Sequence, residues 1–207
     1  MKITKQSKIL VACEESQAVT KAFRALGFEA YSCDIQPCSG GHPEWHIQDN
    51  VLNHLDRGWD LMIAHPECTY LTNSGVRWLH TDESRWEKLE LAATFFKTLM
   101  ECDIPRIAIE NPIPHKYAVE RIGKKYDQLI QPWMFGHPET KATCLWLKNL
   151  PKLQETTNVK EYMDSLPRKA RLRLHYLPPS KDRAKIRSKT YIGIADAIAA
   201  QYGSLLK

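Results

Sequence analysis

The hydrophobic positions along the chain follow two different periods, and the first of these predicts strands. Several short stretches are nearly continuous apolar runs. Such a run is typical of a strand that is buried on both faces of a sheet. The predicted strands are KILVAC (8–13), FEAYSCDI (28–35), WDLMIAH (59–65), RIAIENP (106–112), LIQPWMFG (129–136) and ATCLWLK (142–148).

The second period places apolar residues three or four positions apart and predicts helices between the strands. SQAVTKAFRALG (16–27) has this spacing and ends at a glycine, which is a helix stop signal. The same spacing predicts a long amphipathic helix over 82–102 and a closing helix over 190–203. Between them, 36–50 is predicted to be a loop, and VLNHL (51–55) a helical turn.

Strands that alternate with helices form βαβ units with right-handed crossovers. The sequence therefore predicts an α/β fold, a Rossmann-like doubly wound and mainly parallel sheet. We expect residues 1–150 to form the catalytic core and residues 190–207 a C-terminal helix that returns to it. The charged and proline-dotted residues 151–189 are either a small basic subdomain or a long ordered loop.

The composition of the chain argues against a membrane protein and a secreted protein. The chain has 207 residues, of which 43% are hydrophobic and 26% charged. No apolar run approaches the roughly 20 residues that a membrane-spanning helix needs, and the N-terminal stretch is too short and too strand-like for a signal peptide. We therefore expect a cytoplasmic protein without a membrane partner.

The net charge of +5 permits a nucleic-acid partner without requiring one. Much of the excess lies in PRKARLRLHY (167–176) and SKDRAKIRSK (180–189). Such runs are either a solvated surface or, beside an active site, phosphate contacts.

Six cysteines in a chain of this length, without a secretion signal, indicate reduced thiols rather than a disulfide framework. Cys33, Cys38, His42 and His46 have a spacing that zinc could use. The spacing is irregular and no second pair follows, so ordinary packing and loop roles are favoured and no metal is expected.

Acidic and nucleophilic residues follow four of the predicted strands. Glu14 and Glu15 follow the first, Asp34 ends the second, Cys68 follows the third, and Glu110 ends the fourth. Because the carboxyl ends of parallel strands share one crevice, we expect these side chains to face the same cleft. Cys68 stands in a loop behind a proline, where a cysteine that served only for packing would not be expected.

The order of these motifs resembles that of the cytosine-5 DNA methyltransferases, particularly small phage and prophage proteins. HPECTYLTNSG (65–75) resembles the family's catalytic segment, and Glu110-Asn111-Pro112 its Glu-Asn-Val. FGHPETKATCLW (135–146) echoes the later Tyr-Gly-x-Pro-Gln-x-Arg-x-Arg segment. The resemblance implies a methyltransferase-type sheet, S-adenosylmethionine as cofactor, DNA as partner, and a cytoplasmic location in a bacterial or phage-infected cell.

The resemblance also implies roles for the residues that match. Cys68 would add to carbon 6 of cytosine, because carbon 5 is too weak a nucleophile to take a methyl group unaided. Glu110 would hold the exocyclic amine and ring nitrogen 3. Asn111 would fix the loop geometry, and His65 would contact the base or assist proton movement, or else be a hydrogen-bonded strand-end histidine.

Cofactor residues follow from the same comparison. Glu14 would meet the amino group of S-adenosylmethionine, Ser16 would cap the following helix, and Asp34 would bind the ribose hydroxyls. Asp49 and Asn50 would face the adenine. The remaining cofactor residue is Pro66, next to the catalytic loop.

For the substrate, a base in duplex DNA must leave the stack to reach Cys68. Tyr70, Trp78 and Trp133 could form an aromatic wall for it or pack in the core and rim. Three cations would contact phosphate or be solvated on the surface, namely Lys141, Arg171 and Arg173. The predicted substrate residues are these three and Tyr70.

The chain departs from the family pattern in three places. Glu14, Ser16 and Gln17 replace the glycines of the cofactor loop, Glu67 replaces the proline before the cysteine, and only 148–189 is available for target recognition. Two alternatives follow. The same thiol chemistry could act on a free pyrimidine nucleotide, or the protein could bind DNA without catalysis and counter restriction.

Overall fold

The computed structural model describes residues 7–206. Seven strands run through it in chain order: β1 (Lys8–Ala12), β2 (Glu29–Asp34), β3 (His46–Gln48), β4 (Leu61–Ala64), β5 (Ile107–Pro112), β6 (Gln128–Ile130) and β7 (Thr143–Lys148). They form one sheet in the order β3-β2-β1-β4-β5-β7-β6. The pairs from β3 to β5 are parallel, and β7 is antiparallel to both β5 and β6.

This topology is the Rossmann-like fold of methyltransferases, with the sheet reversing its progression at β1 and an antiparallel β7 inserted beside β5. The predicted fold class is therefore confirmed. Ligands of such sheets bind at the carboxyl ends of the strands on either side of the reversal. That edge holds the ends of β1, β2, β4 and β5.

The helices are α1 (Ala18–Ala25), α2 (Ser84–Glu101), α3 (Lys116–Ile122), α4 (Lys160–Ser165), α5 (Arg168–Arg171), α6 (Arg183–Ser188) and α7 (Ile192–Gly203). Short 3-10 helices cover Pro43–Trp45, Val51–His54, Asn73–His80, Pro132–Met134 and Ser204–Leu206. The long helices α2 and α7 lie close to their predicted positions. Helix α3 and the short strand β3 were not predicted.

Two apolar layers sandwich the sheet, which explains the continuous apolar runs. Along β1, Leu10 and Ala12 face the layer of α2, whereas Ile9 and Val11 face the layer of α1 and α7. All four side chains are fully buried. A strand buried on both faces cannot alternate apolar and polar residues, so these runs were correctly interpreted.

The predicted strand at 129–136 is correct only at its start. β6 ends at Ile130, and Pro132–Met134 is a 3-10 helix. Pro132 lacks the N–H that the strand ladder would need, so the strand cannot continue through it. Within residues 7–206, no helix is long and apolar enough to cross a membrane.

Candidate functional site

The centre of the site is a buried pair between the ends of β4 and β5. His65 Nδ1 donates to Glu110 Oε2 at 3.0 Å, and the two side chains are only 12% and 14% exposed. β4 and β5 are adjacent parallel strands, so their carboxyl ends bring residues 45 positions apart into contact. The other ring nitrogen, His65 Nε2, is buried without a hydrogen-bond partner.

The pKa shifts of this pair favour an imidazolium next to a carboxylate. Burial opposes the charge on His65, but the hydrogen bond and the negative charge of Glu110 outweigh it and raise the pKa of His65. Burial also opposes the charge on Glu110, but the hydrogen bond from His65 and the charge of Lys141 outweigh it and lower the pKa of Glu110. Both shifts favour the charged form of the group concerned.

Cys68 lies in the same cleft and is half-buried rather than sealed in the core. Burial raises the pKa of its thiol, and the negative charges of Glu110 and Glu67 raise it further. A backbone hydrogen bond and the charge of Lys141 act in the opposite direction. The carboxylate of Glu67 next to the thiol therefore disfavours the thiolate. The thiol is accessible, but it ionises less readily than a free cysteine.

The loop that carries Cys68 is fastened along its length to the segment after β5. Asn111 Nδ2 donates to the carbonyl of Pro66 at 3.0 Å. Further along, His115 Nε2 donates to the carbonyl of Tyr70 at 2.9 Å, and the backbone N–H of His115 donates to Leu71 at 3.0 Å. These bonds hold the backbone of the Cys68 loop against the end of β5 and the segment that follows it. Because Glu110 lies on β5, they fix the position of the loop relative to Glu110. Asn111 Oδ1 is buried without a partner.

Lys141 lies just before β7, and its charge acts on His65, Cys68 and Glu110 alike. Its ammonium group donates to the carbonyl of Lys189 at 3.2 Å. It is therefore the cation of this cleft, at one of the two positions where the family pattern has arginine. Thr143, at the other position, donates its hydroxyl to the carbonyl of Lys141 at 3.1 Å.

The turn after β1 has glycine-like backbone geometry without glycine. Cys13 and Gln17 both have a φ of 57°. Non-glycine residues rarely adopt this region, and those that do are concentrated at functional sites. Gln17 is fully buried and is held by three side-chain bonds, to Ser32 and to both backbone groups of His42. Hydrogen bonds thus maintain a conformation for which the family uses glycine.

Glu14, and not Ser16, caps helix α1, which corrects the predicted role of Ser16. The carboxylate of Glu14 accepts the N–H groups of Val19 at 2.7 Å and Thr20 at 3.2 Å, together with the Thr20 hydroxyl. The carboxylate of Glu14, three residues before the N-cap residue Gln17, satisfies the free N–H groups of the first helical turn more fully than a hydroxyl would. Glu14 is 4% exposed, so its oxygens serve the helix.

Glu15, which follows β1 together with Glu14, is the acidic residue of this turn to which the sequence assigned no cofactor role. Its Oε2 atom is buried without a hydrogen-bond partner, and the nearest cation is Lys185 Nζ at 3.7 Å. An unsatisfied buried carboxylate oxygen is costly unless a ligand completes it. The sequence CEES gives no sign of which glutamate faces the helix and which faces the cleft.

The loop after β2 lies across the same turn. Ser39 donates its N–H to the carbonyl of Glu15 at 2.8 Å, and a Cβ on Gly40 would come within 2.5 Å of Gln17. Glycine is required at Gly40 because the two backbones approach too closely for any side chain. The turn after β1 contains no glycine of its own, and it is the glycine of the neighbouring loop that lets the two backbones approach each other closely.

The other predicted cofactor residues lie at the ends of β2 and β3. Asp34 ends β2, and its Oδ1 accepts the N–H of Gln36 at 2.9 Å. Asp49 accepts from His54 Nε2 at 2.8 Å, and this bond lowers the pKa of Asp49. Asn50 accepts the N–H of Leu52 at 3.1 Å and so caps the turn that begins at Val51. All three lie at the carboxyl ends of β2 and β3.

The predicted aromatic residues are not all in one place. Tyr70 is half-buried beneath Arg85, whose guanidinium lies 4.9 Å from the ring centre. Trp78 is 47% exposed and lies next to Arg77. Trp133 faces α4 instead, with Lys160 at 6.0 Å from its ring. Only Tyr70 belongs to the loop of Cys68.

Arg171 and Arg173 each have a carboxylate partner. Arg171 lies 3.4 Å from Asp164, and Arg173 lies 3.0 Å from Glu139. Glu139 also accepts from the Tyr191 hydroxyl at 2.9 Å. This second contact joins the segment before β7, the basic segment and the start of α7. Phosphate binding by the two arginines stays a prediction.

No metal cluster is found among residues 7–206, in which His, Cys, Asp and Glu form no group of three or more placed to hold an ion. All six cysteines are free thiols. Cys33 is buried on β2, and His42 stacks on Trp45 at 3.8 Å. These residues have the packing and loop roles that the sequence favoured over zinc.

No protein-family model and no curated protein matches the chain. Similar solved structures include the Dnmt2 methyltransferase of S. pombe and the methyltransferase EhMeth of Entamoeba histolytica. Both have a TM-score of 0.48 and 14% identity, and they cover 87% and 86% of this chain. A mutant of Spodoptera frugiperda DNMT2 has a TM-score of 0.42, 14% identity and 74% coverage.

The chain spans only 62%, 65% and 54% of those three proteins, respectively. At such low identity the likeness concerns the fold alone. The fold itself is established by the strand order and the antiparallel β7.

Proposed function

We propose that the protein is an S-adenosylmethionine-dependent cytosine C5 methyltransferase of the small phage or prophage type, acting on DNA through Cys68. The observation that carries the proposal is the buried His65–Glu110 pair in one cleft with an accessible cysteine thiol. A charged carboxylate and a neighbouring nucleophile at the carboxyl ends of β4 and β5 match what addition to a pyrimidine ring requires.

The first chemical step uses Cys68 and Glu110. The thiolate of Cys68 forms a bond to carbon 6 of cytosine, and the ring electrons move through carbons 5 and 4 to nitrogen 3. Nitrogen 3 then takes a proton from the His65–Glu110 pair, which carries one at Nδ1 of His65. The carboxylate accepts from the exocyclic amine. The pair thus stabilises charge where it develops.

The residues at the cofactor edge fit S-adenosylmethionine. Glu15 offers a buried oxygen without a hydrogen-bond partner, 3.7 Å from Lys185 and suited to the cationic amino group, and this role passes to it because Glu14 caps α1. Asp34 would hold the ribose hydroxyls, and Asp49 and Asn50 would face the adenine. When bound, the cofactor supplies an electrophilic methyl group. Carbon 5 would take that methyl group with release of the demethylated thioether, and the proton on nitrogen 3 would return to the His65–Glu110 pair. Loss of the carbon 5 proton to a base would then re-form the ring double bond as Cys68 leaves carbon 6 as a thiolate.

Covalent trapping tests this proposal. An oligonucleotide that contains 5-fluorocytosine is incubated with the protein and cofactor, and adducts are identified by denaturing electrophoresis and mass spectrometry. Addition to carbon 6 followed by methyl transfer leaves fluorine on carbon 5, which cannot leave as a cation, so Cys68 stays attached. We expect an adduct in the wild type and in Cys102→Ala, and none in Cys68→Ala. Absence of an adduct with DNA, RNA and the free nucleotide would contradict the proposal.

The raised pKa of Cys68 favours a second candidate, a DNA-binding protein that does not turn over. Calorimetry separates the two. Binding of S-adenosylmethionine that is weakened in Glu15→Gln supports the methyltransferase. DNA binding together with no heat of cofactor binding supports the non-catalytic protein.

A further inference from the structure

The segment 167–189 has a charge far above that of the rest of the chain. Nine of its residues are Lys or Arg, and Asp182 is its one acidic residue. The basic residues are Arg168, Lys169, Arg171, Arg173, Lys181, Arg183, Lys185, Arg187 and Lys189. Such a density is costly to hold on one surface without a counter-charge.

Among residues 7–206, carboxylates neutralise only three of these cations. Arg171, Arg173 and Lys185 lie within ion-pair distance of Asp164, Glu139 and Glu15, respectively. The other six have no carboxylate within that distance in the described part of the chain. One of them, Arg183, also has a buried Nε–H without a hydrogen-bond partner. Anionic groups from outside the chain would complete this surface.

A shallow groove of about 440 Å³ opens on this segment. Its lining is mostly apolar and includes Tyr176, Leu177 and Pro178, and Lys169 and Arg173 also line it. Tyr176 is 45% exposed although it is a large aromatic residue. An apolar lining that also carries cations suits one nucleotide, with the base on the ring and the phosphate on the charges.

Residues 139–141 connect the groove with the cleft of Cys68. Arg173 lines the groove and pairs with Glu139. Thr140 donates its N–H to the carbonyl of Arg171 at 2.8 Å, and Lys141 donates to that of Lys189. The charge of the same Lys141 lowers the pKa of Glu110. The basic segment that carries the groove is therefore bonded to the residue whose charge acts on Glu110.

We infer that this groove binds an unpaired nucleotide of a nucleic-acid strand, next to the base held at Glu110. The inference rests on the proposed function and specifies its substrate as a polymer with unpaired bases. A free nucleotide would occupy the cleft and leave the groove and its charges unused. A fully paired duplex would meet the cations but would present no base face to Tyr176.

Strand binding without cofactor tests the inference. Fluorescence anisotropy is measured with a labelled single strand of about 20 nucleotides and with its duplex, at salt concentrations between about 50 and 200 mM. We expect the single strand to bind more tightly. Tyr176→Ala should weaken its binding about tenfold, the range for loss of one stacked base. Lys169→Glu should reduce the slope of log affinity against log salt by about 0.7, as for one phosphate contact.

Matched controls lie outside the groove. Tyr162→Ala removes a tyrosine that is 61% exposed on α4, and Lys152→Glu makes the same charge change at an exposed lysine. Neither should change single-strand affinity by more than about twofold. All four substitutions are at exposed residues, and thermal unfolding verifies that each variant folds.

Tighter binding of the duplex, or a Tyr176→Ala variant that binds as the wild type does, would overturn the inference. Failure of the proposed function gives a different result. An adduct with a free fluorinated nucleotide and no strand binding would leave the thiol chemistry intact and remove the groove's role. Strand binding through Tyr176 without any adduct would support the groove and remove the chemistry.

Discussion

His65 and Glu110 form a buried ion pair that joins the ends of β4 and β5, with 3.0 Å between Nδ1 and Oε2. The negative charge of Glu14 raises the pKa of His65 further. The imidazole thus lies between the turn after β1 and the end of β5. The imidazole thereby couples these two elements electrostatically.

The first prediction concerns how stability depends on pH. Because the pKa of His65 is raised from 6.5, its contribution is fully present below pH 6.5 and is lost as pH rises through the folded-state value. Because the pKa of Glu110 is lowered from 4.5, its contribution is present above pH 4.5 and is lost in acid. Urea unfolding should show a decline in stability as pH rises above 6.5 that is absent in His65→Gln and retained in His80→Gln.

The same pair predicts unequal costs for two substitutions. Glu110→Ala leaves a buried imidazolium unpaired and should cost about 3 kcal/mol of unfolding free energy. His65→Gln keeps a donor for the carboxylate and should cost about 1–2 kcal/mol. Equal costs, or a Glu110→Ala variant as stable as the wild type, would mean that the pair contributes little.

The second prediction concerns Glu67 and the reactivity of Cys68. The charge of Glu67 raises the pKa of Cys68 less than that of Glu110 does. Glu67→Gln should therefore make the thiol react about two to five times faster with iodoacetamide at pH 7.5, since one exposed charge is removed. Mass spectrometry of the peptide that contains Cys68 measures this rate. In 1 M salt the difference should shrink, because exposed charges are screened.

Glu87→Gln is the control, since it removes an exposed carboxylate from the first turn of α2. It should leave the alkylation rate unchanged. If Glu67→Gln also reacts at the wild-type rate, the carboxylate of Glu67 does not limit the reactivity of the thiol. Burial and the charge of Glu110 then account for the raised pKa of Cys68.

The third prediction concerns the turn after β1. A Cβ on Gly40 would collide with Gln17 Cβ and with the carbonyl of Ser16, at 2.5 and 2.6 Å. Gly40→Ala should cost about 1–3 kcal/mol and displace the loop from the turn. Hydrogen exchange at the amides of Ser39 and His42 should then speed up, because their acceptors lie on the turn.

Gly58→Ala is the matched control. Gly58 has a φ of +72° with open space at the Cβ position, so the substitution should cost about 1 kcal/mol from backbone strain alone. Hydrogen exchange at Ser39 should not change in this variant. Faster exchange in both would show a global loss of stability rather than a local collision.

Sequence patterns predicted the layers of this fold because the period of burial is a local property. The alternation of Ile9 and Val11 with Leu10 and Ala12 between two apolar layers leaves a signature within β1 itself. β3 was missed because three residues with partly buried or exposed side chains leave no such signature. Helix α3 was missed because it is short and follows two prolines, which are normally loop signals.

The site was only partly predictable, because its contacts are long-range. The ends of β4 and β5 could be expected to share a cleft, but the direct bond from His65 to Glu110 depends on side-chain orientation. The turn after β1 is a clearer case. Glycine is the usual residue there, and only the three-dimensional structure shows that buried hydrogen bonds keep Gln17 at a φ of 57°.

The fourth prediction concerns Glu139, which joins the basic segment to the core. Its carboxylate binds Arg173 at 3.0 Å and Tyr191 at 2.9 Å. Glu139→Ala removes both contacts and should let the segment open more often, since few other side-chain bonds hold it. Trypsin should then cleave within 167–189 about five to ten times faster, because cleavage follows the population of the open form.

Asp164→Ala is the control, because Asp164 pairs with Lys160 and Arg171 but not with residues 139–141. It should change tryptic cleavage within the segment by less than about twofold, since surface ion pairs contribute little. The unfolding midpoint of the core should be nearly unchanged in both variants, because Glu139 lies outside the two apolar layers. Equal cleavage of Glu139→Ala and the wild type would show that the segment is held by its backbone contacts, chiefly that of Thr140 with Arg171.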